Sequence, residues 1–496
     1  MNKELDSNTV KMMSAAIKIF DDLPNEILLE VFSYLSLEDL AFSAQDVCVR
    51  WRDVCQDHKL WKNKDFCPSL QLNENEIIDH FQKMPALRSY RASNVIPNRV
   101  IKSLCRYCKN IQKIDFHPAQ VIKASILGEI VRTYPNIKSL ALSLPFENRM
   151  EQLEIMKIIG NCRELTSLTL KGRVGETFKL ILFPIVIGCP KLQHFHLLYD
   201  NNIDDANILP LLEGKKHHLL SFSQRLYISR EVSEKLSECT KLQYLDIVND
   251  VSEDVSHLAI EPLMKLRTLK HFGLRNSSEK LVDFLPNFFL SGSFSQLVNL
   301  DLSDTYFMND TLVNAVCKNC PHLKRLLLSG SQILQNEGLK FIGCCKQLEY
   351  LDVSMSMDLT DGGMEYVGAG CNNLQCLDIS GCYKMTDRVI EHIVKCKQLR
   401  VLKFNYNDLT GSYFHLISSH LPRLLELHVE SGKYLSRMFV DELHKKMPNL
   451  KIVIARKYKD PYNIPISDHV TLFLESDYLK VSHCNEQHID PYYIVV

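Results

Sequence analysis

One periodic pattern constrains this chain more than any other feature. An apolar residue, two residues, a second apolar, one residue and a third apolar recur as Leu297-Leu300-Leu302, Leu323-Leu326-Leu328, Leu348-Leu351-Val353, Leu374-Leu377-Ile379, Leu399-Leu402-Phe404 and Leu424-Leu427-Val429. Their first residues lie 26, 25, 26, 25 and 25 apart. A fixed period of this length marks a chain that stacks small units, each burying its apolar face against the next. Upstream the pattern continues with more decay in Ile111-Ile114-Phe116, Ile137-Leu140-Leu142, Leu165-Leu168-Leu170 and Leu192-Phe195-Leu197, then in Leu242-Leu245-Ile247 and Leu269-Phe272-Leu274. The gap of 50 between Leu192 and Leu242 predicts one degenerate repeat, with Leu226 and Ile228 on its strand. Leu87 is expected to open the first repeat and Leu450 the last, about 15 in all.

The unit can be read from its alternation. Three apolar residues separated by polar ones have the period of a half-buried strand. Eight residues after the first leucine stands a small polar residue: Thr305, Ser331, Ser356, Cys382, Asn407. A helical stretch follows, such as Asp387 to Lys395, with Val389, Ile390, Ile393 and Val394 on one face. A cysteine then precedes the next strand: Cys320, Cys345, Cys371, Cys396. There a small, soft apolar side chain packs easily.

The stretch Leu374 to Cys382, with Met385-Thr386-Asp387 after it, closely resembles the cysteine-containing class of leucine-rich repeat. Leu348 to Ser354 with Leu359-Thr360-Asp361 is its twin. The resemblance implies an α/β solenoid, a leucine-rich-repeat horseshoe with a concave parallel β-sheet and convex helices. In that class the small polar residue turns the chain and bonds neighbouring backbone.

Residues 21–66 differ in kind. Asp22 can cap a helix, Pro24 suits its first turn, and Glu26 suits its positive end. Ile27, Leu28, Val31, Phe32 and Leu35 share one helix face. Ser36 to Leu40 reads as a turn into a second helix, and Cys48-Val49-Arg50-Trp51 and Leu60-Trp61 close the segment. The order Leu-Pro, Ile-Leu, Val-Phe-Ser-Tyr-Leu and Cys-x-Arg-Trp resembles the F-box, a small all-α domain. The resemblance implies an adaptor of the S-phase kinase-associated family as partner, and through it cullin and RING subunits of an SCF ubiquitin ligase. Leu23, Pro24, Ile27, Leu28, Val31 and Leu35 are the implied contacts, with Trp51 as core or contact. An F-box followed by leucine-rich repeats implies a non-catalytic substrate receptor serving ubiquitin-dependent degradation. The rival is a non-degradative scaffold with the same two parts.

The expected organisation is a flexible segment at 1–20, the F-box at 21–66, a linker or cap at 67–86, repeats at 87–456 and a tail at 457–496 that caps the array or folds back over it. Lys+Arg 58 against Asp+Glu 59 argues against a dedicated nucleic-acid binder, though a local basic patch can hide in a neutral total. The longest apolar run, Leu180 to Gly188, is broken by Pro184, short of the roughly 20 residues of a membrane span. An odd count of 17 cysteines and a polar N-terminus fit reduced thiols in the cytosol or nucleus. No catalytic set, cofactor motif or metal site is expected: Cys105-x-x-Cys108 lacks a second half, and His194-x-His196 reads as surface contact.

Strand alternation places a protein substrate. Residues flanking the second apolar point away from the core. Asp301, Asp352, Asp378, Lys403 and His428 should form one row, beside Arg325 and Tyr350. Its aspartates suit a basic partner, with Tyr350 as anchor.

Overall fold

A triplet strand is too short to bury a core of its own, so it must lie beside the next. The computed structural model describes residues 23–62, 64–145, 148–171, 182–198, 205–225, 228–248, 257–277, 279–407, 409–430, 437–456 and 470–474. The chain divides into two units, Met1–Leu219 and Leu220–Val496.

The first unit opens with three short helices, α1 (Asn25–Ser33), α2 (Leu37–Phe42) and α3 (Val49–Cys55). Pro24 stands at the helix start, where its missing N–H costs nothing. Its carbonyl accepts the amides of Ile27 and Leu28, both at 3.1 Å. Asp22, expected as the cap, lies outside the described residues. Ser36 caps α2 by accepting the Asp39 amide at 3.0 Å. Leu28, Phe32, Leu40, Val54 and Trp61 fill the core, and the Trp61 indole donates to the Cys55 carbonyl at 2.6 Å.

These helices run directly into the repeats. Strand β1 (Asp65–Phe66) pairs in parallel with β2 (Ser89–Arg91). Residues 67–86 contain helix α4 (Glu74–Lys83), started by a reciprocal capping box between Asn73 and Glu76. Gln45 donates to the Lys83 carbonyl at 3.0 Å, and the Phe42 ring meets His80 at 4.4 Å. Strands β3 (Lys113–Asp115), β4 (Ser139–Ser143), β5 (Ser167–Lys171) and β6 (His194–Leu198) follow in parallel order. Their register aligns Tyr90, Ile114, Leu140, Leu168 and Phe195 in one fully buried column.

The second unit repeats the scheme with β7 (Ser221–Arg225), β8 (Tyr244–Val248), β9 (His271–Arg275), β10 (Asn299–Asp301), β11 (Arg325–Leu327), β12 (Tyr350–Asp352), β13 (Cys376–Asp378), β14 (Val401–Phe404), β15 (Glu426–Glu430), β16 (Lys451–Arg456) and β17 (Val470–Leu474). Each pairs in parallel with the next. Phe222, Leu245, Phe272, Leu300, Leu326, Leu351, Leu377, Leu402, Leu427 and Ile452 form its buried column. Each such side chain contributes roughly 1.5–3 kcal/mol relative to exposure. Both units are leucine-rich-repeat solenoid, with a helix or short helical turn returning the chain between successive strands.

The degenerate repeat sits earlier than expected. Its strand is Ser221–Arg225, with Phe222 inward; Ile228 stands after it, and Leu226 lies outside the described residues. Gln224, a buried polar residue, occupies the third inward place and hides the triplet. The tail reading falls mostly outside the described residues, but Val470–Leu474 extends the sheet beyond β16.

Three polar columns fix the stacking. The small-residue position turns the chain: Ser331 donates to the Leu328 carbonyl at 2.6 Å and Asn407 to that of Ile379 at 3.1 Å. One residue earlier the backbone is left-handed in five successive repeats, at Asp304, Gly330, Met355, Gly381 and Tyr406, with φ of 59°, 80°, 58°, 70° and 58°. At the helix starts, Asp310, Asn336, Asp361 and Asp387 accept amides of the following repeat, Gln335, Thr360, Thr386 and Thr410, at 2.8–3.1 Å. Buried cysteines before the strands donate to a carbonyl one repeat back, Cys189 to Ile159 at 3.3 Å and Cys371 to Ile342 at 3.4 Å. Burial pushes the Cys320 thiol up to about 12, so it stays protonated.

The left-handed column yields a test. A side chain there costs about 1–2 kcal/mol, and Met355 is 41% exposed, so the packing lost on its removal is partial. Met355→Gly is expected to be neutral or stabilising by about 1 kcal/mol, and Gly381→Ala to destabilise by about 1–2 kcal/mol. Chemical denaturation checks the opposite signs.

Candidate adaptor face and substrate face

Helix α1 has two faces because its apolar residues outnumber those one small core can take. Leu28 and Phe32 point inward, and Phe32 meets Trp51 edge-on at 4.9 Å between centroids. Ile27 is 44% and Val31 38% exposed, with Pro24 also exposed and Leu23, Leu35 and Trp51 half-buried. Leu28, expected as a contact, is wholly buried and serves the core. Tyr34, exposed by 83%, was not named from sequence. It completes the spacing of Ile27 and Val31 along one face, which is the signal that could have found it. Val47, just before α3, and Val49, its first residue, are exposed.

The motif arginine holds this face in shape. Arg50 donates from Nε to Asn25 Oδ1 at 3.0 Å and from Nη2 to the Leu23 carbonyl. It thereby ties the entry of α1 to α3, which explains a cation in an otherwise apolar motif.

The residues proposed from strand alternation lie in one row, as the period of two requires. Register sets Asp301, Leu327, Asp352, Asp378, Lys403 and His428 side by side, with Arg325 next to Tyr350 in the parallel row. Its character differs from expectation. Asp301, Asp352 and Asp378 each accept the amide two residues on, Ser303, Ser354 and Ser380, at 3.0, 2.9 and 3.0 Å. A strand that ends in the sheet must satisfy its next amide, and aspartate does so in an Asx turn. Asp301 also faces Arg275 at 3.5 Å, and Asp378 faces Lys403 at 3.6 Å. His428 contacts Glu426 at 3.2 Å. Tyr350 is only 9% exposed, with the Arg325 guanidinium 4.1 Å above its ring, so it is no free anchor. Burial and the charge of Asp378 push the Asp352 carboxyl up to about 7. Burial likewise raises Asp301, against Arg275.

Large exposed side chains stand instead just past the strands. Tyr306, Ile333, Met355, Met357 and Tyr383 are 41–50% exposed in four consecutive repeats. Tyr306, Met357 and Tyr383 fall nine residues after Leu297, Leu348 and Leu374, a recurrence visible in the sequence and overlooked there.

The chemistry-bearing pairs singled out from sequence stay apart from any metal-like cluster. Cys105 and Cys108 are buried, with Cys108 donating to the Met84 carbonyl at 3.4 Å. His194 and His196 share the outer face of β6. Among the described residues no group of three or more His, Cys, Asp or Glu is placed to hold a metal ion, and no helix is long and apolar enough to cross a membrane.

An F-box-like family model matches residues 20–67. The DNA repair protein rhp7 of Schizosaccharomyces pombe is 25% identical over 221 residues, 42% of this chain and 38% of that protein. The putative F-box/LRR-repeat protein 21 of Arabidopsis thaliana is 25% identical over 254 residues, 46% of this chain and 72% of its own length. Among solved structures, the crystal structure of the Rad7 and Elc1 complex in yeast aligns over 97% of this chain and 100% of that one, at 16% identity and a TM-score of 0.43. The F-box match on α1 to α3, followed by stacked leucine-rich repeats, makes this chain similar to the F-box/leucine-rich-repeat proteins.

Proposed function

We propose that the chain is the substrate-recognition subunit of an SCF-type, cullin–RING ubiquitin ligase. The F-box holds the adaptor, and the repeats hold a protein destined for ubiquitination and proteasomal degradation. The observation that carries this reading is α1, which keeps Ile27, Val31 and Tyr34 outside a core already filled by Leu28 and Phe32. An apolar helix face left in water is a partner site. The F-box-like match over the same helices supports it. Transfer of ubiquitin belongs to other subunits, and this chain contributes proximity between ligase and substrate. Free, largely buried thiols fit a reducing compartment, cytosol or nucleus.

Substrate contact is assigned to the second unit, where Tyr306, Ile333, Met357 and Tyr383 are exposed in the repeats that carry the aspartate row. Tyrosine and methionine give contact area at low ordering cost. The aspartates would add charge that grows as pH rises through the Asp352 value near 7.

Replacing both Ile27 and Val31 by aspartate should weaken purified adaptor binding at least about a hundredfold. Both side chains are exposed, so the thermal midpoint should hold. Calorimetric titration reads the affinity, and an unchanged value would refute the adaptor face.

Asp352 tests the row. Its folded-state value of about 7 exceeds the ordinary carboxyl value, so between the two the native state binds the extra proton. Stability therefore falls as pH rises through that window. Asparagine keeps the acceptor and removes the charge. The stability advantage of Asp352→Asn should grow by about 1–3 kcal/mol from about pH 5 to about pH 8. A pH-independent difference in denaturant midpoint would contradict the buried carboxyl.

A further inference from the structure

The first unit contains a groove that neither the adaptor face nor the substrate row uses. It has a volume of about 670 Å³ and is lined by Lys157, Asn161, Arg163, Pro184, Ile187 and Pro190 together with Gly160 and Gly188. Two helices frame it, Arg149–Ile159 and Phe183–Gly188. The glycines let them close up: a Cβ on Gly188 would stand 1.8 Å from the Gly160 carbonyl oxygen, and one on Gly160 2.7 Å from that of Pro184. One wall is thus apolar, and Ile187 on it is 67% exposed. The rim is cationic.

Those cations are unspent. Lys157 and Arg163 are exposed, and neither makes an ion pair among the described residues. Glu164, the carboxylate adjacent in sequence, is taken by Lys191 at 2.6 Å. The ends of both helices carry partial negative charge here. Two full positive charges outweigh it, and cations at such ends have a structural use of their own. That use does not account for the exposed Ile187 or for the charge beyond the groove. Residues 98–163 hold 11 Lys and Arg against 5 Asp and Glu, in a chain whose totals are 58 and 59. Arg132 and Lys138, one repeat back, are exposed and have no acidic partner among the described residues.

We propose that this groove binds an acidic peptide segment of a partner protein. An apolar side chain of the segment lies on Ile187, Pro184 and Pro190, while its carboxylates meet Lys157 and Arg163. Phosphodiester chains fit less well. They are held by cations with little need of an apolar floor, whereas an amphipathic acidic segment uses both halves of the site. The site is independent of the F-box reading, because it shares no residue with α1 to α3.

The test uses the full chain and a labelled peptide repeating Glu-Leu-Glu-Glu, read by fluorescence anisotropy. A lysine-for-glutamate version and a duplex DNA are the comparison probes. The acidic peptide should bind, with affinity falling as salt rises. Lys157→Glu with Arg163→Glu should weaken it tenfold or more, and Ile187→Ser about three- to tenfold. Lys157→Gln with Arg163→Gln serves if the reversed pair fails to fold. Adaptor binding, measured in parallel, should be untouched by all of them. Equal binding of the lysine peptide, preference for the duplex, or indifference to both sets of variants would overturn the proposal.

Discussion

Leu377 is buried because Leu351 and Leu402 lie on either side of it, and each of those depends in turn on its own neighbours. No repeat contains enough apolar surface to fold alone, so the lateral contact between inward leucines is the interaction on which every other feature rests. The period follows from it. A strand, a turn, a helix and a return must fit into about 25 residues if consecutive leucines are to meet. The polar columns then set the geometry. Asp310, Asn336, Asp361 and Asp387 bond forward to the next repeat, and Cys189 and Cys371 bond back to the previous one.

A stack has ends, and its first end explains the F-box junction. Phe66 of β1 brings its ring against Phe81 and Tyr90, so the opening repeat is covered by the segment that closes the F-box. The three-helix domain is itself too small for a large core. It spends Leu28 and Phe32 inward and leaves Ile27, Val31 and Tyr34 outward. The same shortage that makes the domain lean on the solenoid leaves it an outward apolar face.

The repeat was legible because its signal is apolar and periodic. Inward positions tolerate only a few side chains, so the pattern survives even where Phe195 and Phe272 replace leucine. It failed at Ser221–Arg225, where Gln224 took an inward place. Helix Val389–Ile393 is shorter than the stretch Asp387 to Lys395. In the aspartate row, alternation gave the positions of Asp301, Asp352 and Asp378 but not their bonds. Direction along a strand follows from a period of two, whereas the use of a carboxylate depends on an amide two residues away and on a cation from another strand. Tyr350 shows the same limit, since Arg325 covers its ring from the neighbouring repeat.

Under the proposed function the chain is a receptor of two parts, with the ligase held through α1 and the repeats left for the substrate. Amide hydrogen exchange of the full chain with and without purified adaptor tests that division most directly. The account predicts new protection within Asn25–Ser33 and around Val47 and Val49, with exchange in β10 to β15 unchanged. Protection in those strands with none in α1 would contradict it.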